Sequence, residues 1–210
     1  MQPTDSHNQG NRGVPCELIT WDQAYQLARN LAWQVRENHF DPEIIVAISR
    51  GGLMPGRILS DRLNLFDLAT LKIEHYHAVH KEPIAKVRYS LTAEVEGRRV
   101  LLVDDVCDSG DTFRVATEHL HERGEPALLR TAVLHYKRVS SFVPDYFAQE
   151  VIEWRWLIYP WAVMEDVSSF LLEMKEYPAS LEAFARALKQ QHAIEVPRQI
   201  LEDVFAINKP

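Results

Sequence analysis

An α/β fold built on a parallel sheet is predicted by three observations. Stretches with helical periodicity alternate with short apolar runs suited to buried strands. The Gly- and acid-containing segments follow directly on those runs. Carboxyl ends of strands are where open parallel sheets hold their ligands.

The elements can be read in order. Thr20 with Gln23 forms a capping box, and Ala24, Leu27, Ala28, Leu31 and Val35 make one apolar face, so a helix is expected from about Trp21 to Asn38. A strand at Ile44 to Ser49 follows, then a helix near Pro55 to Leu63 and a strand near Leu68 to Glu74. From His75 to Ala93 the chain is polar and weakly periodic, with Lys81, Lys86, Arg88, Tyr89 and Ser90; the residues alone read as a β-hairpin. His75, His77 and His80 also raise a transition-metal site, but no Cys or acid completes that set. A strand starting at Val100 leads to a helix from Thr112 to Arg123, and a further strand, Ala132 to Tyr136, ends at Lys137. A short loop then reaches Trp156. Past Glu165 the pattern is helical, with Phe170, Leu171 and Met174, then Leu181, Phe184, Ala185 and Leu188, and breaks at Pro178 and Pro197. The expected division is a disordered segment over 1–15, one catalytic domain over 16–164 and a helical extension over 165–210.

Composition agrees with one globular enzyme. The 210 residues are 46% hydrophobic and 25% charged, enough for a substantial core. A net charge of -7 argues against nonspecific nucleic-acid binding, which needs many cations on phosphates. Anionic ligands must meet local basic groups, and Arg50, Lys137 and Arg138 stand where such groups are needed. Cys16 and Cys107 form neither a disulfide framework nor a metal pair, so a reducing cytoplasm is expected, with Cys107 as a packed spacer. The first fifteen residues are polar and lack an apolar signal region. No apolar stretch approaches the ~20 residues that span a bilayer, so no membrane partner is expected.

The most informative segment is Val100 to Thr112, VLLVDDVCDSGDT. An apolar strand passes two carboxylates and ends in a turn that opens an amphipathic helix. Unpaired N–H groups at a helix start lie at the positive end of the helix dipole, so an anion gains hydrogen bonds and a favourable field together. Gly110 permits close approach of the backbone, and Ser109 and Thr112 offer hydroxyls beside Asp111. Asp104 and Asp105 would repel a bare phosphate but suit a sugar diol or Mg2+. A phosphorylated sugar with a metal fits the set.

This run resembles the signature of type I phosphoribosyltransferases, which bind 5-phosphoribosyl 1-diphosphate. Ser49, Arg50, Gly51 and Gly52 resemble that family's diphosphate loop. The resemblance there implies a cis Arg50–Gly51 bond that turns backbone N–H groups toward the diphosphate. Lys137, and Trp156 with Leu157 in the run WLIYPW, resemble the base pocket of the 6-oxopurine (hypoxanthine, guanine, xanthine) enzymes. The implied roles are donation to O6 by Lys137, stacking by Trp156 and a backbone carbonyl from Leu157. The resemblance covers roughly 20–161. It implies a parallel-sheet type I phosphoribosyltransferase core, a flexible hood over 75–93 that closes on the site, and a helical tail outside the family pattern. The family often places an acid after the Pro-Trp pair; here Ala162 follows. Glu165 or Asp166 could replace that second metal ligand, or water and diphosphate alone could serve.

The mechanism implied is transfer of the phosphoribosyl group to a 6-oxopurine, giving the nucleoside monophosphate and diphosphate in purine salvage. The 5′-phosphate would lie on Ser109 to Thr112, the ribose hydroxyls and Mg2+ at Asp104 and Asp105, and the diphosphate on Arg50 to Gly52. Asp108 is the candidate base. Partners are then phosphoribosyl diphosphate, a purine and further copies of the chain in a homodimer or higher homo-oligomer. Two alternatives remain open: a phosphoribosyl diphosphate sensor that regulates transcription, and a transferase for another base such as adenine, orotate or uracil. Lys137 with Trp156 argues against the sensor, as does the lack of a basic helix-turn-helix arm.

Overall fold

The computed structural model describes residues 13–76 and 84–208. In chain order their elements are β1 (Cys16–Leu18), α1 (Trp21–Glu37), β2 (Ile44–Ser49), α2 (Leu53–Leu63), β3 (Leu68–Tyr76), β4 (Ile84–Tyr89), β5 (Arg99–Cys107), α3 (Asp111–Arg123), β6 (Leu128–Lys137), β7 (Tyr146–Val151), β8 (Trp156–Ile158), α4 (Val163–Leu172), α5 (Leu181–His192) and α6 (Arg198–Ile207). They group into two compact units: Trp21–Trp154, and the described residues of Met1–Thr20 with Arg155–Pro210.

The first unit is a six-stranded sheet in the order β4-β3-β2-β5-β6-β7. Its neighbours are parallel except β3 and β4, which pair antiparallel. β2 lies near the centre, and its residues Ile44 to Ile48 are at most 2% exposed. Ile44, Val46 and Ile48 join Val100 and Leu102 of β5 and Phe113, Ala116 and Leu120 of α3 in one core. On the other face, a Cβ added to Gly56 of α2 would stand 3.0 Å from that of Ala47. Burial on both faces is why the β2 sequence shows no polar alternation. Each buried Ile or Val of the strand contributes about 1.5–3 kcal/mol by leaving water.

The helices follow from their own periodicity. α1 buries Ala24, Ala28, Leu31, Ala32 and Val35, and packs on α2, β6 and β7. Three alanines on that stripe let its backbone come close to its neighbours. α2 covers β2, β3 and β5, whereas α3 packs on β3 and β4. The crossovers β2-α2-β3 and β5-α3-β6 therefore bring the carboxyl ends of β2, β5 and β6 to one edge of the sheet.

Several boundaries differ from the sequence expectation. α2 begins at Leu53, so Pro55 lies within its first turn, where a missing N–H costs no hydrogen bond. β5 continues through both acids to Cys107 because β6 stays paired alongside, Val106 with His135 and Cys107 with Tyr136. The stretch between Lys137 and Trp156 is not a simple loop but contains β7, parallel to β6. Its sequence YFAQEV is buried mainly at its two ends, as suits a sheet-edge strand with a weak pattern. The hood region contains the antiparallel β3–β4 pair; His77, His80 and Lys81 lie outside the described residues, as do residues 1–12 of the expected disordered segment.

The second unit pairs β1 with β8 in parallel and packs α4, α5 and α6 around Ile158, Val167, Leu171, Phe184, Leu188, Leu201 and Val204. Ser180 caps α5 by accepting from the Ala183 N–H at 3.2 Å. Pro178 lies between α4 and α5, and Pro197 directly precedes α6. The helical tail is thus as the periodicity predicts. Among the described residues no helix is long and apolar enough to cross a membrane.

Candidate active site

The turn that opens α3 is built around Gly110, whose φ of 93° is accessible at little cost only without a side chain. A Cβ there would also stand 2.4 Å from that of Phe142. The Ser109 hydroxyl donates to the Asp111 carboxylate at 2.7 Å and accepts from the Asp111 N–H at 3.3 Å. Arg114 pairs with the same carboxylate. The Ser109 carbonyl accepts from Ser141, from its N–H at 3.1 Å and its hydroxyl at 3.0 Å. The turn is therefore held on both sides. Thr112 hydrogen-bonds through its hydroxyl to His75 Nε2 at 3.1 Å. Sequence reasoning considered His75 as a metal ligand and as the first residue of the hood, not as a neighbour of Thr112. Among the described residues no group of three or more His, Cys, Asp or Glu is placed to hold a metal ion.

One strand further in, the two acids meet the loop after β2. Asp104 is buried and its carboxylate accepts from the Asp105 N–H at 2.9 Å. Burial and the neighbouring Asp105 charge raise its carboxyl well above the usual range, opposed by N–H groups of Asp105 and Gly52. Asp105 lies over Gly51: a Cβ added to Gly51 would be 2.5 Å from Asp105 Oδ1. At Gly52 the same addition would stand 2.4 Å from the Val103 carbonyl oxygen. Two glycines in succession are what allow this loop to lie against the acids. The cis bond of the loop falls between Ser49 and Arg50, one residue before the expected Arg50–Gly51 position. From Gly51 the chain is already turning into α2, with the Gly52 N–H on the Ile48 carbonyl and the Leu53 N–H on that of Arg50.

At the end of β6, Lys137 is only 2% exposed. Its ammonium contacts Asp108 Oδ2 at 2.5 Å and lies 4.4 Å from the ring centre of Trp154. The Trp154 indole N–H donates to Asp108 Oδ1 at 3.0 Å. The candidate base and the candidate O6 donor are thus ion-paired, and an unanticipated Trp joins them. Next door, Cys107 is buried against Ser140 and Phe142. Burial foremost pushes its thiol up to about 11, so it packs as a neutral spacer.

Ser49 to Gly52, Asp104, Asp105, Asp108 to Thr112 and Lys137 all belong to the Trp21–Trp154 unit, at carboxyl ends of its strands. Trp156 and Leu157 lie on β8 in the other unit. There the Trp156 indole donates to Asp166 at 3.0 Å, and Leu157 is buried. Ala162 caps α4, with Glu165 and Asp166 in its first turn. Trp154 and His75, like Arg114, Ser140, Ser141 and Phe142, are site neighbours that the sequence did not single out for these places. The signal for Trp154 was the repeated Trp in EWRW.

Comparisons with known proteins identify the family. Residues 17–165 match the phosphoribosyl transferase domain. A xanthine-guanine phosphoribosyltransferase of Gluconobacter oxydans is 32% identical over 157 residues, covering 73% of this chain and 89% of the relative. Another of that name from Nitratidesulfovibrio vulgaris is 29% identical over 143 residues, covering 68% and 82%. Among solved structures, a purine phosphoribosyltransferase from Pyrococcus horikoshii is 28% identical with a TM-score of 0.62, covering 70% of this chain and 93% of that one. A strand carrying paired acids, a glycine-opened helix start and a double-glycine loop lying against those acids thus agree with the match, and the chain belongs to the phosphoribosyl transferase family.

Proposed function

We infer that this chain transfers the 5-phosphoribosyl group from phosphoribosyl diphosphate to a 6-oxopurine, releasing diphosphate and forming the nucleoside 5′-monophosphate in purine salvage. The observation that carries this reading is the convergence of three parts in one unit: the α3 start, the Asp104–Asp105 pair and the Arg50–Gly52 loop. The named relatives support the purine as acceptor.

Roles follow from the chemistry of each part. The 5′-phosphate takes the N–H groups and hydroxyls of Ser109 to Thr112, where the dipole of α3 favours an anion. Asp104 and Asp105 accept from the ribose hydroxyls. Ser49, Arg50, Gly51 and Gly52 receive the diphosphate. Lys137 donates to the purine O6, and Asp108 takes the proton of the base as the new bond forms. Trp156 and Leu157 carry the stacking and carbonyl roles implied by the family pattern.

The acid pair also fits Mg2+. Both donors are hard oxygens, and a buried carboxyl crowded by a second one gains from a cation. Two protein ligands suit an ion that keeps water and shares substrate oxygens rather than one in a closed cage. When bound, Mg2+ supplies charge neutralisation for the leaving diphosphate. The chain itself fixes the sugar and places the anions, which is where most of the rate gain in such a transfer arises. A cytoplasmic enzyme working as a homodimer or higher homo-oligomer belongs to the same proposal.

Diphosphate release, measured with Mg2+, phosphoribosyl diphosphate and each base in turn, tests the reading. Release is expected with hypoxanthine, guanine or xanthine and not with adenine, orotate or uracil. Tight binding of phosphoribosyl diphosphate without release on any base contradicts it and favours the sensor.

A further inference from the structure

Trp154 holds the candidate base and the candidate O6 donor at once. Its indole N–H donates to Asp108 Oδ1 at 3.0 Å, and its ring lies 4.4 Å from the Lys137 ammonium. Indole and purine share one frame: a planar five-membered ring fused to a six-membered ring, with an N–H on the five-membered one. On the reading above, the purine presents that N–H to Asp108 and an oxygen to Lys137. The indole thus rests on the two groups, Asp108 and Lys137, that the purine would use.

We propose that Trp154 is an internal stand-in for the base, resting on Asp108 and Lys137 until an incoming 6-oxopurine displaces it. The proposal rests on the purine reading of the site and concerns how the base enters it. Three features separate this from ordinary core packing. Trp154 is 40% exposed, so its ring is not locked into the interior. It follows β7, which ends at Val151, and belongs to no helix or strand, so its backbone is not fixed by a ladder. Its contacts fall on the same two groups: an N–H to the Asp108 carboxylate, as the purine would make, and a ring face over the Lys137 ammonium where the purine would bring its oxygen. Lys137, by contrast, is buried and ion-paired with Asp108, so the site keeps its shape when the ring leaves.

A competitor tethered in the site lowers apparent affinity for the base and leaves the sugar-phosphate end untouched. Trp154→Phe removes the donor and keeps a ring; Trp154→Leu removes both. Calorimetric titration of wild type and each variant with inosine 5′-monophosphate and Mg2+, in the absence of diphosphate, reads the competition without turnover. Ribose 5-phosphate, which lacks the base, serves as the control ligand. Both variants should bind the nucleotide about ten-fold more tightly, the equilibrium worth of one hydrogen bond to a charged acceptor. Ribose 5-phosphate affinity should stay the same. The Trp154 fluorescence, taken as wild type minus Trp154→Phe, should move to longer wavelength when the nucleotide is added, as the ring enters water. Equal or weaker nucleotide binding by the variants, with normal binding by wild type, overturns the stand-in role alone. Wild type that binds ribose 5-phosphate but no purine nucleotide overturns the purine reading as well.

Discussion

Asp108 has two partners before any substrate arrives, the Lys137 ammonium at 2.5 Å and the Trp154 N–H at 3.0 Å. Asp108→Asn keeps the shape but loses the capacity to accept a proton. Its kcat is expected to fall by about 10²- to 10⁴-fold, the usual worth of a positioned base, while nucleotide affinity changes far less. Steady-state kinetics with hypoxanthine, beside inosine monophosphate binding, measures both; unchanged turnover removes Asp108 from the role. Asp108 and Lys137 were candidates from sequence through the family resemblance, and each stands at the end of an apolar strand, where such sheets bind. Trp154 was not. EWRW presents two indoles with a single residue between them, Trp154 and Trp156, and only the path of the chain after β7 decides which ring meets Lys137. The cis bond was similarly displaced by one residue, since the sequence shows which residues form the loop but not which peptide turns.

At the level of elements, the α3 start depends on Gly110. Gly110→Ala places a side chain at a φ of 93°, costing about 1–2 kcal/mol for the backbone alone, and drives its Cβ into Phe142. Urea unfolding should show at least that loss, and the KM for phosphoribosyl diphosphate should rise more than that for the base. An Ala variant with native stability and KM values would mean that the turn does not hold the phosphate. β6 carries a second sensitive group. His135 is buried and its pKa is lowered to about 4, chiefly by desolvation, against an ordinary 6.5. Its folded pKa lies below the unfolded one, so the unfolded chain takes up the proton first. Stability from this residue is complete above about pH 6.5 and is lost as pH falls toward 4, by on the order of 3 kcal/mol. Denaturant unfolding between pH 4 and 7 should show a shallower acid limb for His135→Gln than for wild type. Identical limbs would show that His135 titrates alike in both states. The central strands were legible because burial on both faces leaves an apolar run, as in Ile44 to Ile48. β7 was not, because burial at its two ends alone gives YFAQEV no clear period.

For the whole molecule the governing fact is electrostatic. On the proposed reading, a chain of net charge -7 takes a polyanionic substrate beside two adjacent acids, Asp104 and Asp105. Coulomb repulsion between like charges at such range is strong unless a cation intervenes. Chelation of Mg2+ should therefore lower diphosphate release at least about 100-fold, and added Mg2+ should restore it; full activity in excess chelator contradicts the assignment of Asp104 and Asp105. The most direct test of the account as a whole is a crystal structure with phosphoribosyl diphosphate bound. The 5′-phosphate should rest against the N–H groups between Gly110 and Thr112, with the ribose hydroxyls on Asp104 and Asp105. A phosphate elsewhere, or both aspartates turned away from the sugar, contradicts it.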